Sequence, residues 1–555
     1  MTGTLPCVSP NTCVNNVCVA SAVCGDGQCN GDETCSTCST DCGSCPTGTV
    51  YYISTTGDDS TGTGTSSNPW KTLAKACNSV SATGSTIYVN PGTYTETQQC
   101  NLKVGVSILG AGNSSVITST SITTYGGGGI VKAYSSPTAN GAQSISYIKF
   151  DGSNFKAGHA LDIRGRHNVK IHHCTFTNFN YFAIGWTTKD TTWNEPSSTD
   201  YIKGSEFYNN IVINGAGRDA NDPGTVLGAL MLGGQDGMLI HDNYMLENRT
   251  SNQGYPIKFW YWNGWSKGVK IYNNHLEKTS WALWDFAIES NYEKGMEIYD
   301  NRIIGSIDLN YQLASSEYPY SVYIHDNVVG PAGPISGWHD SASAIVLEFS
   351  SENVLVENNL LVNASPCFMF TPRTGSMNNV TIRYNICQDV MTSGYYIEGL
   401  RVVEPSNIQI NGFYFYNNIF HGHSASSLGY ALSISTAGSG YTGTNMQFKN
   451  NVIINFGGGP MRFSTSSING LYIQNNIFYN SGSNQVSLSG TPSNYTNSGN
   501  LVSNPLFVGA STGNFHLQSS SPAINAGLNL GLTSDFERTS VPQGSAPDIG
   551  AYEYH

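Results

Sequence analysis

The chain of 555 residues is poor in charge, in long apolar runs and in the short motifs of nucleotide and acyl chemistry. Charged residues make up only 11% of it, and 38 acidic residues outnumber 25 basic ones, for a net charge of -13. This balance argues against nucleic-acid binding, which needs a basic face. No stretch approaches the roughly eighteen consecutive apolar residues of a membrane span. Phosphate loops and a GxSxG motif are also absent, which argues against those enzyme classes.

Cysteine is sparse except at the start, since nine of the 14 Cys precede Val50. Such crowding predicts a disulfide-rich module over residues 1-48 and an oxidising compartment, hence an extracellular or cell-surface protein. Zinc is the alternative, but the spacing lacks His partners and is too dense for one four-Cys site. Among the later cysteines, Cys77 with Cys100 and Cys367 with Cys387 are the plausible local pairs, which leaves Cys174.

Oxygen-bearing side chains alternate with Gly inside this module, at Asp26, Asn30 and Asp32. Oxygens at every second position of a tight loop can bind Ca²⁺, so Ca²⁺ is a possible cofactor. The spacing is similar to half of an EF-hand loop, yet the closing acid is misplaced and Cys29 interrupts the loop. A disulfide-held loop with solvated side chains is therefore the stronger interpretation, and the module would serve as an attachment, spacer or self-assembly contact.

The most frequent feature is a bend pattern, whose clearest copy is Val269-Lys-Ile271-Tyr-Asn273-Asn274-His-Leu276. Apolar residues alternate on either side of the Asn pair, but the phase slips by one residue across it. Period two indicates a strand, so the slip predicts a sharp bend between two strands. Asn tolerates the left-handed backbone that such a bend needs.

The second Asn of this pattern recurs every 25 to 33 residues from Asn210 to Asn476. Such intervals are typical of one coil of a solenoid, so the sequence predicts an all-β fold, a right-handed parallel β-helix. Stacked Asn side chains should form a hydrogen-bonded ladder along the axis. In a degenerate earlier copy, His173 stands where Asn is expected, and we expect His172 and His173 to belong to the ladder rather than to bind a ligand.

The two ends of the solenoid carry recognisable sequences. A short amphipathic helix is expected within residues 68-77, as a cap over the first coils at 49-110. The run from Tyr51 to Tyr94, with Asn68-Pro-Trp70 and Pro91-Gly-Thr-Tyr94, resembles the opening of secreted β-helix proteins of the pectate-lyase-like superfamily. Residues 504-553, which include Asn504-Pro-Leu-Phe507, are similar to the ending of the same proteins. The coils would then occupy 111-500 and a C-terminal cap 501-555.

This resemblance implies a fold and not one activity, because the superfamily includes polysaccharide lyases, glycoside hydrolases, epimerases and non-enzymatic surface proteins. No catalytic motif of a particular family matches residue by residue. The site must therefore be sought in the strands themselves.

Each bend follows an upstream strand whose apolar residues alternate inward, which turns its polar residues outward. On successive coils the outward residues should form one charged column, and its proposed catalytic members are Lys258, Glu289, Asp308 and Glu348. A Ca²⁺ ion held by the acids could neutralise the carboxylate of a uronate, while Lys258 or Arg164 removes the proton beside it; this is lyase chemistry. Two of the acids would instead give glycoside hydrolysis. A row of solvated surface acids is the bland alternative.

Aromatic residues crowd the same region, and their faces can stack on sugar rings. The expected substrate-binding residues are Arg164, Trp260, Trp262, Trp338 and His339, although long loops can also bury such Trp side chains. The sequence thus predicts an extracellular enzyme that cleaves a polysaccharide in a groove along the coils. The alternative is a non-catalytic surface, adhesive or matrix rod anchored by the Cys-rich module.

Overall fold

The computed structural model describes most of the chain beyond residue 47. The described residues are 12-14, 17-19, 38, 48-124, 128-188, 196-197, 199-222, 224-260, 264-279, 286-291, 293-311, 321-331, 343-371, 376-390, 399-402, 409-422, 429-434, 442-463, 467-483 and 486-555. They fall into two compact units, Met1–Ser266 and Lys267–His555. No helix among these residues is long and apolar enough to cross a membrane.

The described residues of the first unit form one helix and many strands. Its elements are β1 (Thr12–Val14), β2 (Val17–Val19), β3 (Val50–Ile53), α1 (Leu73–Ser79), β4 (Thr86–Val89), β5 (Gly92–Thr95), β6 (Cys100–Asn101), β7 (Ser107–Thr118), β8 (Val131–Asp151), β9 (Leu161–His172), β10 (Thr175–Thr177), β11 (Ile184–Thr187), β12 (Ile202–Lys203), β13 (Glu206–Tyr208), β14 (Ile211–Ile213), β15 (Gly228–Leu232), β16 (Gln235–Asp236), β17 (Leu239–His241), β18 (Tyr244–Glu247) and β19 (Tyr255–Phe259).

Strand β20 (Ser266–Lys267) spans the boundary, and the described part of the second unit also consists mainly of strands. Its elements are β21 (Lys270–Tyr272), β22 (His275–Lys278), β23 (Phe286–Asn291), β24 (Glu293–Lys294), β25 (Glu297–Tyr299), β26 (Arg302–Ile304), β27 (Ser306–Tyr311), β28 (Val322–His325), β29 (Val328–Val329), β30 (Ile345–Phe349), β31 (Ser351–Glu357), β32 (Leu360–Val362), β33 (Phe368–Thr371), β34 (Ser376–Arg383), β35 (Ile386–Val390), β36 (Leu400–Val402), β37 (Gln409–Tyr416), β38 (Ile419–Gly422), β39 (Tyr430–Ile434), β40 (Thr442–Lys449), β41 (Val452–Ile454), β42 (Gly459–Phe463), β43 (Ile468–Gln474), β44 (Ile477–Tyr479), β45 (Ser487–Leu488), β46 (Ser493–Ser498), β47 (Phe507–Gly509), a 3₁₀ turn (Ala510–Thr512) and β48 (Asn514–Leu517).

Each unit is a right-handed parallel β-helix, which confirms the predicted fold class. Equivalent strands of successive coils pair in parallel and in register, so one side-chain column repeats along the axis. In the second unit the inward column is apolar and fully buried through eight coils: Ile271, Ile298, Ile324, Val356, Ile382, Phe415, Phe448 and Ile473. Continuous burial of such residues is the main stabilising term of a solenoid.

Helix α1 lies at the beginning of the first unit and is shorter than the expected 68-77. It begins after Thr72, whose side chain accepts from Lys75 N at 3.1 Å. The carboxylate of Glu96 accepts from Leu73 N and Ala74 N at 2.8 and 3.1 Å, which satisfies further N–H groups of the first turn. The predicted Cys77–Cys100 disulfide joins this helix to β6.

The remaining described cysteines also follow the prediction. Cys367 is bonded to Cys387, while Cys174 is buried and belongs to no disulfide. Burial raises the pKa of the Cys174 thiol to about 12. Cys38 is disulfide-bonded as well, as expected within residues 1-48.

In the Asn-rich bend, one residue provides the left-handed backbone and the next residue provides the ladder side chain. The first residue takes the left-handed backbone, as at Asp300 with φ 54°. The second is buried and forms the ladder: the Asn301 side chain donates to Ile271 O at 2.8 Å and to Asn327 Oδ1 at 3.0 Å. Such bonds link the ladder residues Asn274, Asn301, Asn327, Asn359, Asn385, Asn418, Asn451, Asn476 and Asn500.

The degenerate copy at residues 171-176 has the same two positions, but the expectation that His172 and His173 belong to the ladder is wrong. His173 takes the left-handed position with φ 54° and stacks on Tyr147, while Cys174 occupies the ladder position. Cys174 N donates to Asn210 Oδ1 at 3.0 Å, and its thiol donates to Ile145 O, as a ladder amide would. His172 instead joins an outward ring stack with Tyr208.

The coils turn at two further corners that the bend pattern does not reveal. Left-handed residues recur before the bend strands, at Asn353, Asn379, Gly412, Asn445, Gly470 and Asn494. They recur again after the bends, at Asn363, Asp389, Asn455 and Asn480. Each corner therefore uses the conformational tolerance of Asn, Asp or Gly.

Residues 507-555, called the strap below, lie along the bends of the second unit. The left-handed Asn residues of three coils bind its backbone. These bonds run from Asn475 to Ala526 O (2.8 Å), from Asn450 to Leu528 O (2.9 Å) and from Asn417 to Gly550 O (3.0 Å). Tyr384 differs from the other left-handed bend residues of the second unit because its side chain is aromatic, with φ 52°. Its ring is buried in the apolar cluster that the strap completes with Phe515 and Ile549.

Candidate functional site

Three of the four expected catalytic residues lie on one outward face of the second unit. Glu289 of β23 is paired in register with Asp308 of β27. Glu348 of β30 is paired with Asn310, so it stands two residues farther along its strand than the predicted column. The correction arises because Val346 occupies the position opposite Asp308. All three acids still share one face, because side chains two residues apart point the same way.

The spacing of the coils sets the separation of these acids. Register partners on neighbouring coils are about 4.8 Å apart at the backbone, and a further shift of two residues gives about 8 Å. Glu289 and Asp308 therefore have the first separation, and Asp308 and Glu348 have the second. Paired carboxyls of glycoside hydrolases lie about 5 to 5.5 Å apart in retaining enzymes and about 6.5 to 9.5 Å apart in inverting ones.

Burial distinguishes these acids from solvated surface carboxylates. Asp308 is 1% exposed and Glu348 is 6% exposed, whereas Glu289 is half-buried. Burial of a charged group costs free energy unless the group is paired or hydrogen-bonded. The interpretation as a row of solvated acids is therefore wrong for Asp308 and Glu348.

Neighbouring polar side chains orient the acid on β30. The Asn310 amide donates to Glu348 Oε2 at 3.0 Å. Thr371 of β33 is the register partner of Glu348 on the other side and is buried. The sequence reading missed Asn310 and Thr371, although the period of two places Asn310 on the same face as Asp308.

The first unit holds Lys258 and Trp260. Lys258 follows Met231 in register on the outward face of β19 and is 5% exposed. Its ammonium lies 5.6 Å from the centre of the Tyr255 ring and 5.7 Å from that of Trp260. Both contacts fit a cation held against aromatic faces.

Arg164 lies on β9 of the same unit, where it is paired with an acid. Its guanidinium donates to both Asp162 oxygens at 3.1 and 3.0 Å, and it covers the Tyr134 ring at 4.5 Å. The Tyr134 hydroxyl also donates to Asp162. Burial raises the pKa of Tyr134, and the Asp162 charge adds to the effect. The bidentate pair holds the Arg164 guanidinium in place, and a guanidinium fits ligand binding better than proton removal.

Several expected site residues lie outside the described parts of the chain. They are the aromatic candidates Trp262, Trp338 and His339 and the Ca²⁺ candidates Asp26, Asn30 and Asp32. Among the residues that the structure does describe, no group of three or more His, Cys, Asp or Glu could hold a metal ion.

Comparison with known proteins agrees with the fold. Residues 54–279 match the family described as rhamnogalacturonase A/epimerase, pectate lyase-like. This family description supports a carbohydrate-active function. No curated protein sequence matches the chain significantly.

Solved structures of β-helix proteins resemble the chain at low identity. The structure of XylC in complex with xylose is 12% identical to this chain, and the match covers 91% of this chain and 99% of XylC, with a TM-score of 0.39. The Agl-KA catalytic domain is 15% identical over 72% of this chain and 65% of its own, with a TM-score of 0.46. The A-module of the mannuronan C-5 epimerase AlgE6 of Azotobacter vinelandii is 14% identical over 78% and 93%, with a TM-score of 0.30.

Proposed function

We propose that the protein hydrolyses a polysaccharide at Glu289, Asp308 and Glu348. The observation that supports this most is the register pairing of Glu289 with Asp308, with Glu348 on the same face one coil farther. Carboxyl groups that extend from backbones about 4.8 and 8 Å apart are within reach of the separations used in glycoside hydrolysis.

One acid would donate its proton to the glycosidic oxygen as the bond to the anomeric carbon breaks. A second would either attack that carbon or take a proton from the water that attacks it. Asp308 lies between the other two acids, with Glu289 on one neighbouring coil and Glu348 on the other, which makes it the central residue of the proposal. Asn310 holds Glu348 in position through its amide.

Lyase chemistry is supported less well, because it needs a base beside the sugar carboxylate. Arg164 is held in a bidentate pair with Asp162, which leaves Lys258 as the proposed base. Trp260, beside Lys258, is proposed to stack on a sugar ring. Trp262, Trp338, His339 and a Ca²⁺ ion at Asp26, Asn30 and Asp32 remain proposals without structural support.

We also infer that the protein acts outside the cytoplasm, at the cell surface or beyond it. The two described disulfides, Cys77–Cys100 and Cys367–Cys387, support this because such bonds persist in oxidising compartments. Residues 1-48 would attach the enzyme to a surface or to another copy.

The test is a panel of neutral and anionic polysaccharides, assayed both for new reducing ends and for the ultraviolet absorbance of unsaturated uronates. We expect new reducing ends without that absorbance. Asp308→Asn should lower the rate roughly 100- to 10,000-fold, and Glu289→Gln and Glu348→Gln should also lower it. Glu297→Gln, a half-buried acid of β25 whose register partners are Lys270 and Tyr323 on the bend strands, is the matched control and should keep full activity.

Three outcomes would count against the proposal. Full activity in Asp308→Asn would refute the assignment of the site. An unsaturated product that is lost in Lys258→Ala would establish the lyase instead. No activity on any member of the panel would favour the non-catalytic rod.

A further inference from the structure

The second unit carries a repeated sequence that the proposed catalytic site does not use. Ile410-Asn-Gly412-Phe-Tyr414-Phe and Ile468-Asn-Gly470-Leu-Tyr472-Ile are nearly the same, and they lie two coils apart. The coil between them has Asn445 and Gln447 in place of Gly and Tyr. Tyr414, Gln447 and Tyr472 therefore form one outward column on β37, β40 and β43.

The glycines determine how the two tyrosine rings lie. A Cβ at Gly412 would be 3.0 Å from Tyr414 Oη, and one at Gly470 would be 3.3 Å from Cε2 of Tyr472. Each ring thus leans back over the glycine two residues before it, and covers the backbone with one face. The side chains are half-buried, so part of each ring is exposed, beside the Tyr416 ring, which lies 5.9 Å from that of Tyr414.

Hydrogen bonds hold this surface in one arrangement. The Asn445 amide donates to Tyr414 Oη at 3.0 Å, and Gln447 donates to Asn445 Oδ1 at 2.7 Å. Tyr416 and Lys449 both donate to Gln447 Oε1, at 2.7 and 2.8 Å. A surface whose side chains are already fixed loses little conformational entropy on binding.

The spacing of the rings fits a sugar chain. Two coil steps amount to about 9.6 Å, which is about the length of two pyranose units in an extended polysaccharide. Every second sugar could therefore stack on a tyrosine, with Gln447 and Asn445 beside the sugar between them.

The charge of the surface indicates the kind of sugar. The Lys449 ammonium lies 5.8 Å from the centre of the Tyr472 ring, and no described acid forms a salt bridge with it. Among Tyr414, Tyr416, Asn445, Gln447, Lys449 and Tyr472, the only charged side chain is that of Lys449. A cation on a half-buried polar surface is complementary to an anionic group of a ligand.

We propose that the surface formed by Tyr414, Gln447, Lys449 and Tyr472 binds an extended anionic polysaccharide, separately from the catalytic site. The two tyrosines stack on alternate sugars, and Lys449 pairs with a sugar carboxylate or sulfate. The binding would hold the enzyme on its polymer, and it does not depend on the catalytic proposal.

Affinity electrophoresis and calorimetry with the full chain test this surface, in an Asp308→Asn background so that cleavage does not interfere. The probes are polygalacturonate for carboxylate, carrageenan for sulfate and hydroxyethyl cellulose as the neutral polymer. Tyr414→Ala and Tyr472→Ala should each weaken binding of an anionic probe roughly three- to tenfold. Lys449→Gln should weaken it and reduce its salt dependence.

Control variants separate binding from folding. Tyr299→Ala is the matched control, since both faces of that ring are covered by Tyr272 and His325 at 5.0 Å. Tyr414→Phe keeps the ring and should keep most of the affinity, and thermal unfolding reports whether each variant folds. Unchanged affinity in folded Tyr414→Ala and Tyr472→Ala would overturn the proposal. Equal affinity for the neutral polymer, unaffected by Lys449→Gln, would overturn the anionic assignment.

Discussion

At the scale of the residue, the bend shows how two adjacent polar side chains take different roles. The first has a left-handed backbone and an outward side chain, while the second is buried with all its hydrogen-bonding groups engaged. Asn301 accepts from Asn274 N and Nδ2, both at 3.0 Å, besides the bonds that it donates. A smaller residue there would leave several buried groups without partners.

The contrast between these two positions can be measured directly. Asn301→Ala should lower the free energy of unfolding by about 2 to 4 kcal/mol, because a buried unsatisfied group costs about 1 to 3 kcal/mol. Asp300→Gly should change it little, since Gly accepts the same backbone and the Asp300 side chain is exposed. Urea-induced unfolding of both variants provides the comparison. Equal losses in the two variants would contradict this division of roles.

At the scale of the element, the strap depends on carboxylates withdrawn from water. Asp548 accepts from Asn525 N at 2.7 Å, and Glu553 accepts from Asp548 N at 2.9 Å. Burial nevertheless raises the pKa of both groups above their ordinary values of 3.8 and 4.5. Ionisation of these groups therefore opposes docking of the strap.

The sign of this effect predicts a pH dependence. A carboxyl whose pKa is raised on folding contributes its full stability below its unfolded pKa, and loses it as the pH rises through the folded value. Glu553→Gln cannot ionise, so the melting temperature of the wild type should fall relative to this variant as the pH rises above 4.5, the ordinary pKa of the group. Thermal unfolding followed by circular dichroism measures this difference.

The melting temperature of the wild type must be compared with that of the variant, because carboxyls with a lowered pKa make the protein less stable as the pH falls. Burial alone would raise the pKa of Asp326, but bonds to His325 and the charge of Arg538 lower it. Its stabilisation is lost as the pH falls, and it is common to wild type and variant. Glu352→Gln serves as the control. A gap between Glu553→Gln and wild type that stays constant with pH would disprove the prediction.

At the scale of the whole molecule, the stacking of coils makes stability local. Each coil pairs with the one before and the one after, so a defect is felt most by its neighbours. Ile473 is fully buried between Phe448 and Asn497 in register, near the end of the coils.

Ile473→Ala should therefore loosen the last coils without unfolding the chain. The cavity costs about 2 to 5 kcal/mol. Hydrogen exchange should become faster over residues 442-498 and remain unchanged over 50-118. Val508→Ala, at a side chain 56% exposed, is the control. Faster exchange throughout the chain would show a cooperative fold instead.

The solenoid, the main bend and the local disulfides could all be predicted from the sequence. The bend pattern occurs in ten copies, so the prediction of a bend between two strands rests on ten independent segments. Cys77 with Cys100 and Cys367 with Cys387 are close in sequence, which makes their pairing local as well. The resemblance of residues 50-94 to known β-helix proteins agreed with the same conclusion.

Which outward residues lie side by side could not be predicted in this way, because it depends on how the coils stack. Coils differ in length, so the register of Glu348 with Asn310 instead of Asp308 depends on how many residues each loop takes up between strands. Burial of Asp308 and the hydrogen bond from Tyr134 to Asp162 depend on segments distant in the chain, as does the path of the strap. A repeated pattern fixes its own local geometry, but side chains from different coils come together only through the packing of the folded chain.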